Sequence, residues 1–92
     1  MEFEWDEAKR RLVHDEHGVD LVEMALVFRD ATRLDWVDSR RDYGEERRVT
    51  LGEIRGEAFV VVYTIRAGRI RLITAWRASH DDEKRYKDRN TR

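Results

Sequence analysis

Two hydrophobic periods run through the chain, and the point where they change divides it. From Asp6 to Arg29 apolar residues recur at helical spacing. Asp6 is a suitable N-cap, because its carboxylate can accept from the free amides of a first turn, and Glu7-Ala8-Lys9-Arg10-Arg11-Leu12 follows with high helix propensity. Gly18 fits the left-handed position after a helix end. A second helix is predicted at once, with Asp20 and Glu23 as a capping box and Val19 and Met24 as a hydrophobic staple. Its core face is Leu21, Met24, Ala25 and Phe28. Beyond Arg29 the period becomes two. Strands are predicted over Thr32–Val37, Arg47–Ile54, Ala58–Arg66 and Arg69–Arg77, with a polar loop at 38–45 and a hairpin turn at Arg66-Ala67-Gly68-Arg69. The unbroken run Phe59-Val60-Val61-Val62-Tyr63 reads as a central strand buried on both faces. Ser79 caps a last, polar helix with Asp81, Asp82 and Glu83 in its first turn. The fold class expected is α+β: two N-terminal helices and a C-terminal helix packed on one face of a three- or four-stranded antiparallel sheet.

At 92 residues the chain has room for one domain over 1–92. It contains no cysteine, which removes disulfide frameworks, thiolate metal sites and Cys nucleophiles. No run approaches the roughly 20 apolar residues of a membrane span, and the start lacks a basic–apolar signal layout, so a cytoplasmic protein is expected. The net charge of −1 conceals an asymmetry. Residues 1–46 hold 7 Lys/Arg and 14 Asp/Glu, a balance of −7, whereas residues 47–92 hold 12 and 6, a balance of +6. Two readings stand: a local polyanion site, or two halves that pair with each other.

The charged residues that invite a chemical reading lie mostly on the strands. Arg69, Arg71 and Arg77 share one parity of their strand, while Ile70, Leu72 and Trp76 share the other. Arg47 belongs to a neighbouring strand. Guanidinium forks engage two phosphate oxygens at once, so this face suits a nucleic-acid backbone, and equally an ordinary solvated surface. His14 and His17 stand three apart without a third metal ligand in sequence, and no metal or other cofactor is expected. His17 can act as base or acid near neutral pH, or simply end a helix favourably. Glu46 and Arg47 are candidate site residues on opposite parities. Tyr86 reads as the anchor of the last helix or as a surface for stacking a base.

Taken together and in order, these pieces resemble a known family. Phe3-Glu4-Trp5-Asp6-x-x-Lys9, then His17-Gly18-Val19 and an acidic–apolar helix ending at Phe28, are similar to the start of BrnT toxins. Glu46-Arg47-x-x-x-Leu51-Gly52, Val60-Val61-Val62-Tyr63, Arg69-Ile70-Arg71-Leu72-Ile73-Thr74-Ala75, Arg77-Ala78 and Glu83-x-x-Tyr86 continue the match over roughly residues 3–87. The resemblance implies a RelE-like fold and the toxin of a type II toxin–antitoxin system, a metal-independent ribonuclease that arrests translation and growth. It implies a BrnA-like antitoxin with a ribbon-helix-helix part, so that DNA is met only through the antitoxin. It leaves room for a homodimer or a toxin–antitoxin hetero-oligomer.

Within that reading, the 2′-hydroxyl attacks the adjacent phosphate and leaves a 2′,3′-cyclic phosphate. Arg77 and Arg71 are expected to stabilise the phosphorane, with Arg47 in support. His17, Glu46 and Lys9 are the base and acid candidates, and Arg69, Arg71, Arg85 and Tyr86 the RNA contacts. The chain departs from the family pattern at Val13, often Asn, at Glu16, often basic, and at Trp76, where an arginine is usual. Val13 and Trp76 favour an alternative: a catalytically weak or inactive toxin-like module kept for protein binding.

Overall fold

A computed structural model describes residues 1–40 and 42–91; Arg41, within the polar loop expected at 38–45, and Arg92 lie outside them. The order of elements is β1 (Phe3–Glu4), α1 (Glu7–His17), a 3₁₀ helix (Glu23–Arg29), β2 (Leu34–Val37), β3 (Arg48–Ile54), β4 (Glu57–Arg66), β5 (Arg69–Arg77) and α2 (His80–Asn90). The strands form one sheet in the order β1-β5-β4-β3-β2. β2 to β5 are the expected antiparallel meander, and β1 adds a two-residue parallel edge through Phe3↔Ile70 and Glu4↔Arg71.

α1 begins and ends as its sequence dictates. The Asp6 carboxylate accepts from the amides of Ala8 and Lys9, and Gly18 closes the helix at φ 69°, donating its N–H to the His14 carbonyl. The second helix takes a tighter form than predicted. Asp20 is drawn into a two-pronged pair with Arg10, at 2.9 and 3.0 Å, and accepts only from the amide of Val22. It therefore does not box the segment into an α-helix. Leu21, Met24 and Val27 are the fully buried residues, three apart, which matches the three residues per turn of a 3₁₀ helix.

β4 is the spine of the sheet. Phe59, Val61 and Tyr63 face a core closed by Val13 of α1 and by Leu21, Met24 and Val27. Ala58, Val60 and Val62 face a second core with Val49, Leu51, Ile73 and Tyr86. The three helices thus pack on both faces, α1 and the 3₁₀ helix on one and α2 on the other, where a single face was expected. We call the first the covered face and the second the open face, since α2 alone overlies it. Gly52 of β3 allows the covering to approach: a Cβ there would lie 2.9 Å from Arg33 Cβ and 3.0 Å from Val27 Cγ1.

One irregularity redirects the arginines. Val62 pairs with Thr74 and Tyr63 with Leu72, so Ile73 is the extra residue of a β-bulge. Before it, Ile70 and Leu72 face the covered core; after it, Ala75 does. The parity read from sequence is therefore valid only up to Leu72. Arg69 and Arg71 rise on the open face, while Arg77 turns to the covered side and Trp76 joins the open one.

The far ends of the fold are tied by Asp30. Its carboxylate accepts from Tyr86 Oη (2.5 Å), the Glu53 amide (2.9 Å), and the amide and hydroxyl of Thr32 (2.9 and 2.8 Å). Burial pushes this carboxyl up, but those hydrogen bonds outweigh it and the net shift is downward. Tyr86→Phe removes one charge-assisted bond and should cost about 1.5–3 kcal/mol, or roughly 6–24 °C in Tm; an unchanged melting curve would show that the hydroxyl is no tie. A second network joins Tyr63 Oη to Asp35 at 2.5 Å, with Arg48 Nε on the same carboxylate at 2.8 Å. Burial, and then the hydrogen bond to Asp35 followed by that carboxylate's charge, push the Tyr63 phenol up to about 12. A raised folded value means that its contribution is complete below the ordinary tyrosine value of about 10 and is lost as pH rises from there through about 12. Stability measured across that alkaline window should fall less steeply in Tyr63→Phe than in the parent.

Candidate functional site

The open face carries a shallow depression at the end of the sheet where β1 stops. Beyond the two residues that β1 pairs, the outer edge of β5 is taken over by α1, which starts beside Arg71–Ile73 and ends beside Arg77. Eleven helical residues and the stretch 72–77 of the strand both span roughly 16 Å, so the two run side by side. This placement brings Lys9, one turn into α1, over the same hollow as Arg71 of β5, Arg47 just before β3 and Arg66 of β4. Asp6 and Glu45 complete its charged lining. Four cations thus face two carboxylates, a local balance of +2.

The cations are held to different degrees. Arg66 Nη2 lies 2.7 Å from Glu45 Oε1, and the other oxygen of that carboxylate is 3.9 Å from Arg47 Nε. The Arg47 guanidinium lies 4.1 Å from the centroid of the Tyr43 ring, and its buried Nε makes no hydrogen bond. Arg71 Nη1 is 3.8 Å from Glu4 Oε1. The Lys9 ammonium has no ion pair or hydrogen bond among the described residues, and it is exposed. An unpartnered ammonium beside two loosely paired guanidiniums is a site for an oxyanion.

Three of the residues singled out in the sequence, Lys9, Arg47 and Arg71, are therefore brought together. Others are not. Arg77 stands six residues along β5 from Arg71, roughly 20 Å at strand rise, and on the opposite face. Its Nε pairs with Glu57 at 2.9 Å, and its Nη1 lies 3.4 Å from the His17 and Gly18 carbonyls, where positive charge complements the end of α1. Glu46 points away from the hollow, to Arg48 at 3.4 Å. His17 sits at the far end of α1 with its ring 6.0 Å from that of Trp76. Arg69 is paired with Glu2 at the sheet margin (2.8 Å). Tyr86 is buried with its hydroxyl on Asp30, so it docks α2 and offers no stacking surface. Arg85 lies on the open face, its guanidinium 4.4 Å from the Trp36 ring centroid.

Sequence reasoning missed Glu45 and Arg66 as members of the hollow, and Trp36 as a feature of the open face. Trp36 shares the parity of Leu34 on a short strand, and that alternation was the available signal. Glu45 was visible only as part of a charge cluster. Among the described residues no three His, Asp or Glu side chains are placed to hold a metal ion.

The protein is thus an α+β domain with three helices packed against a largely antiparallel sheet, an architecture consistent with RelE-like toxins. The family model described as "Ribonuclease toxin, BrnT, of type II toxin-antitoxin system" matches residues 5–83, and the chain belongs to this BrnT toxin family. It is accordingly the toxin component of a ribonuclease-type toxin–antitoxin system, whose toxins pair with a cognate antitoxin. No curated protein matches it. No helix among the described residues is long and apolar enough to cross a membrane.

Proposed function

We propose that the hollow on the open face is where this toxin cleaves RNA, with Arg71, Arg47 and Lys9 around the scissile phosphate. The observation that carries this reading is their convergence from three separate segments, with the Lys9 ammonium in no ion pair among the described residues. The 2′-oxygen attacks the adjacent phosphorus as its proton passes to a base; the P–O5′ bond breaks and the leaving oxygen takes a proton. The products are a 2′,3′-cyclic phosphate and a 5′-hydroxyl. The positive charge needed at the phosphorane comes from the chain's own guanidiniums, so the reaction is metal-independent. Of the two carboxylates in the hollow, Asp6 is engaged in capping α1, so Glu45 takes the role of base, and Lys9 that of acid. Arg77 acts at a distance, by holding the end of α1, and His17 and Glu46 are peripheral.

Such a toxin works in the cytoplasm, where RNA is accessible, and a BrnA-like antitoxin silences it by covering the open face. The antitoxin's ribbon-helix-helix part then carries the pair to DNA. The alternative, a catalytically weak module kept for protein binding, is favoured by one observation: Trp76, not a cation, stands on the open face beside His17.

Inducible expression in bacteria separates the two. The parent should arrest growth and fragment RNA, with 5′ ends that a kinase phosphorylates directly. Arg71→Ala and Arg47→Ala should each lower the cleavage rate by roughly 100- to 1,000-fold with little change in Tm, and Arg77→Ala by less than about tenfold. Full activity in Arg71→Ala would remove the hollow as the site. Normal growth on soluble parent protein would favour the binding module.

A further inference from the structure

Farther along the open face, a second hollow of about 280 Å³ lies between two tryptophans, Trp36 of β2 and Trp76 of β5. Its floor is Val49 and Val60, both buried. We infer that this groove receives one unpaired nucleobase of the bound RNA, and that Asp82 selects a base bearing an exocyclic amino group. The inference rests on the reading of the open face as the RNA surface, and names what that surface recognises.

Three observations carry it. The first is shape and chemistry. An apolar floor between two indoles suits a flat heterocycle, which stacks through its π-face whatever its sequence. Arg85 already covers one ring face of Trp36, its guanidinium 4.4 Å from the centroid. At about 280 Å³ the groove falls just under the roughly 300–1,000 Å³ of drug-sized ligand pockets, room for a single base.

The second is continuity with the cations. Thr64 of β4 lies level with Arg71, and Val60 level with Trp76. Four residues of strand separate them, roughly 13 Å. A strand of RNA held by its phosphate at Lys9, Arg47 and Arg71 therefore lays a neighbouring nucleotide, not the one cleaved, over the tryptophans.

The third is the state of the two carboxylates at the rim. Asp38 is spent: it accepts from Arg40 Nε and Nη2, both at 2.8 Å, from the Arg40 amide and from Tyr43 Oη. Asp82 has no side-chain hydrogen bond or ion pair among the described residues. A free carboxylate beside a base pocket accepts from an exocyclic amino group such as cytosine N4, where uracil presents the carbonyl O4, which has no proton to donate.

The test measures binding of short single-stranded 2′-O-methyl oligonucleotides, which cannot be cleaved, made of cytidine, uridine or abasic residues. The parent should bind the cytidine oligomer at least about fivefold tighter than the uridine one, and both tighter than the abasic one. Trp76→Leu, which keeps the apolar packing on Val60, should lose roughly 5- to 150-fold in affinity for cytidine and none for the abasic chain, and Trp76→Phe should restore most of it. Asp82→Ala should erase the cytidine preference alone. Equal binding of all three oligomers by the parent would overturn the base pocket while leaving the phosphate site intact. An equal loss for abasic and cytidine chains in Trp76→Leu would do the same. No binding of any oligomer would overturn the RNA surface itself, and a cytidine preference that survives Asp82→Ala would overturn the role of Asp82.

Discussion

The burial of β4 on both faces is the constraint from which the other arrangements follow. A strand that presents Phe59, Val61 and Tyr63 to one side and Ala58, Val60 and Val62 to the other needs covering twice. The chain has little to cover it with. α1 and the 3₁₀ helix close one face, and the remaining face receives α2 alone, pinned near its middle by Tyr86 on Asp30. What α2 does not reach stays open, and the arginines and tryptophans of the meander come up there. The location of the candidate site is thus a result of scarcity: it is the part of a double-sided core that a short chain leaves bare.

A single residue then sorts the side chains between the faces. The bulge at Ile73 gives the open-face core an extra aliphatic group and returns Ala75 to the covered side, where a small residue lies beneath the helices. It also exchanges Arg77 for Trp76 on the open face. Arg71 is thereby left with Arg47 and Lys9, while Arg77 becomes a brace for the last turn of α1.

Much of this was legible before any coordinates. Local signals settle helix ends, and Asp6, Gly18 and Ser79 all act where they were read. Alternation located β5 to the residue and β3 and β4 to within one. The features that escaped belong to pairing between distant segments. Two residues have no period, so β1 carried no signal beyond an extended start. The 3₁₀ helix depends on Arg10 claiming Asp20, a contact across ten positions. A bulge is decided by the partner strand, so the shared parity of Arg71 and Arg77 was a sound inference from a register that does not persist. Of the site, Lys9, Arg47 and Arg71 were named individually, but their meeting is a product of α1 running along β5.

The uneven halves of the sequence are largely reconciled inside the molecule. Glu2, Glu4, Asp35 and Glu45, all from the acidic half, sit on Arg69, Arg71, Arg48 and Arg66 of the basic half. On the reading proposed above, Glu4 and Glu45 act as placeholders, holding Arg71 and Arg66 extended before a phosphate arrives. Arginines already matched by a tethered anion carry few condensed ions of their own. A polyanion that displaces the placeholder therefore frees less salt than its contacts would suggest. The toxin's grip on a nucleic acid should in consequence be governed by geometry more than by ionic strength, and its free form should behave toward other polyanions in the cell as the nearly neutral body that its net charge describes.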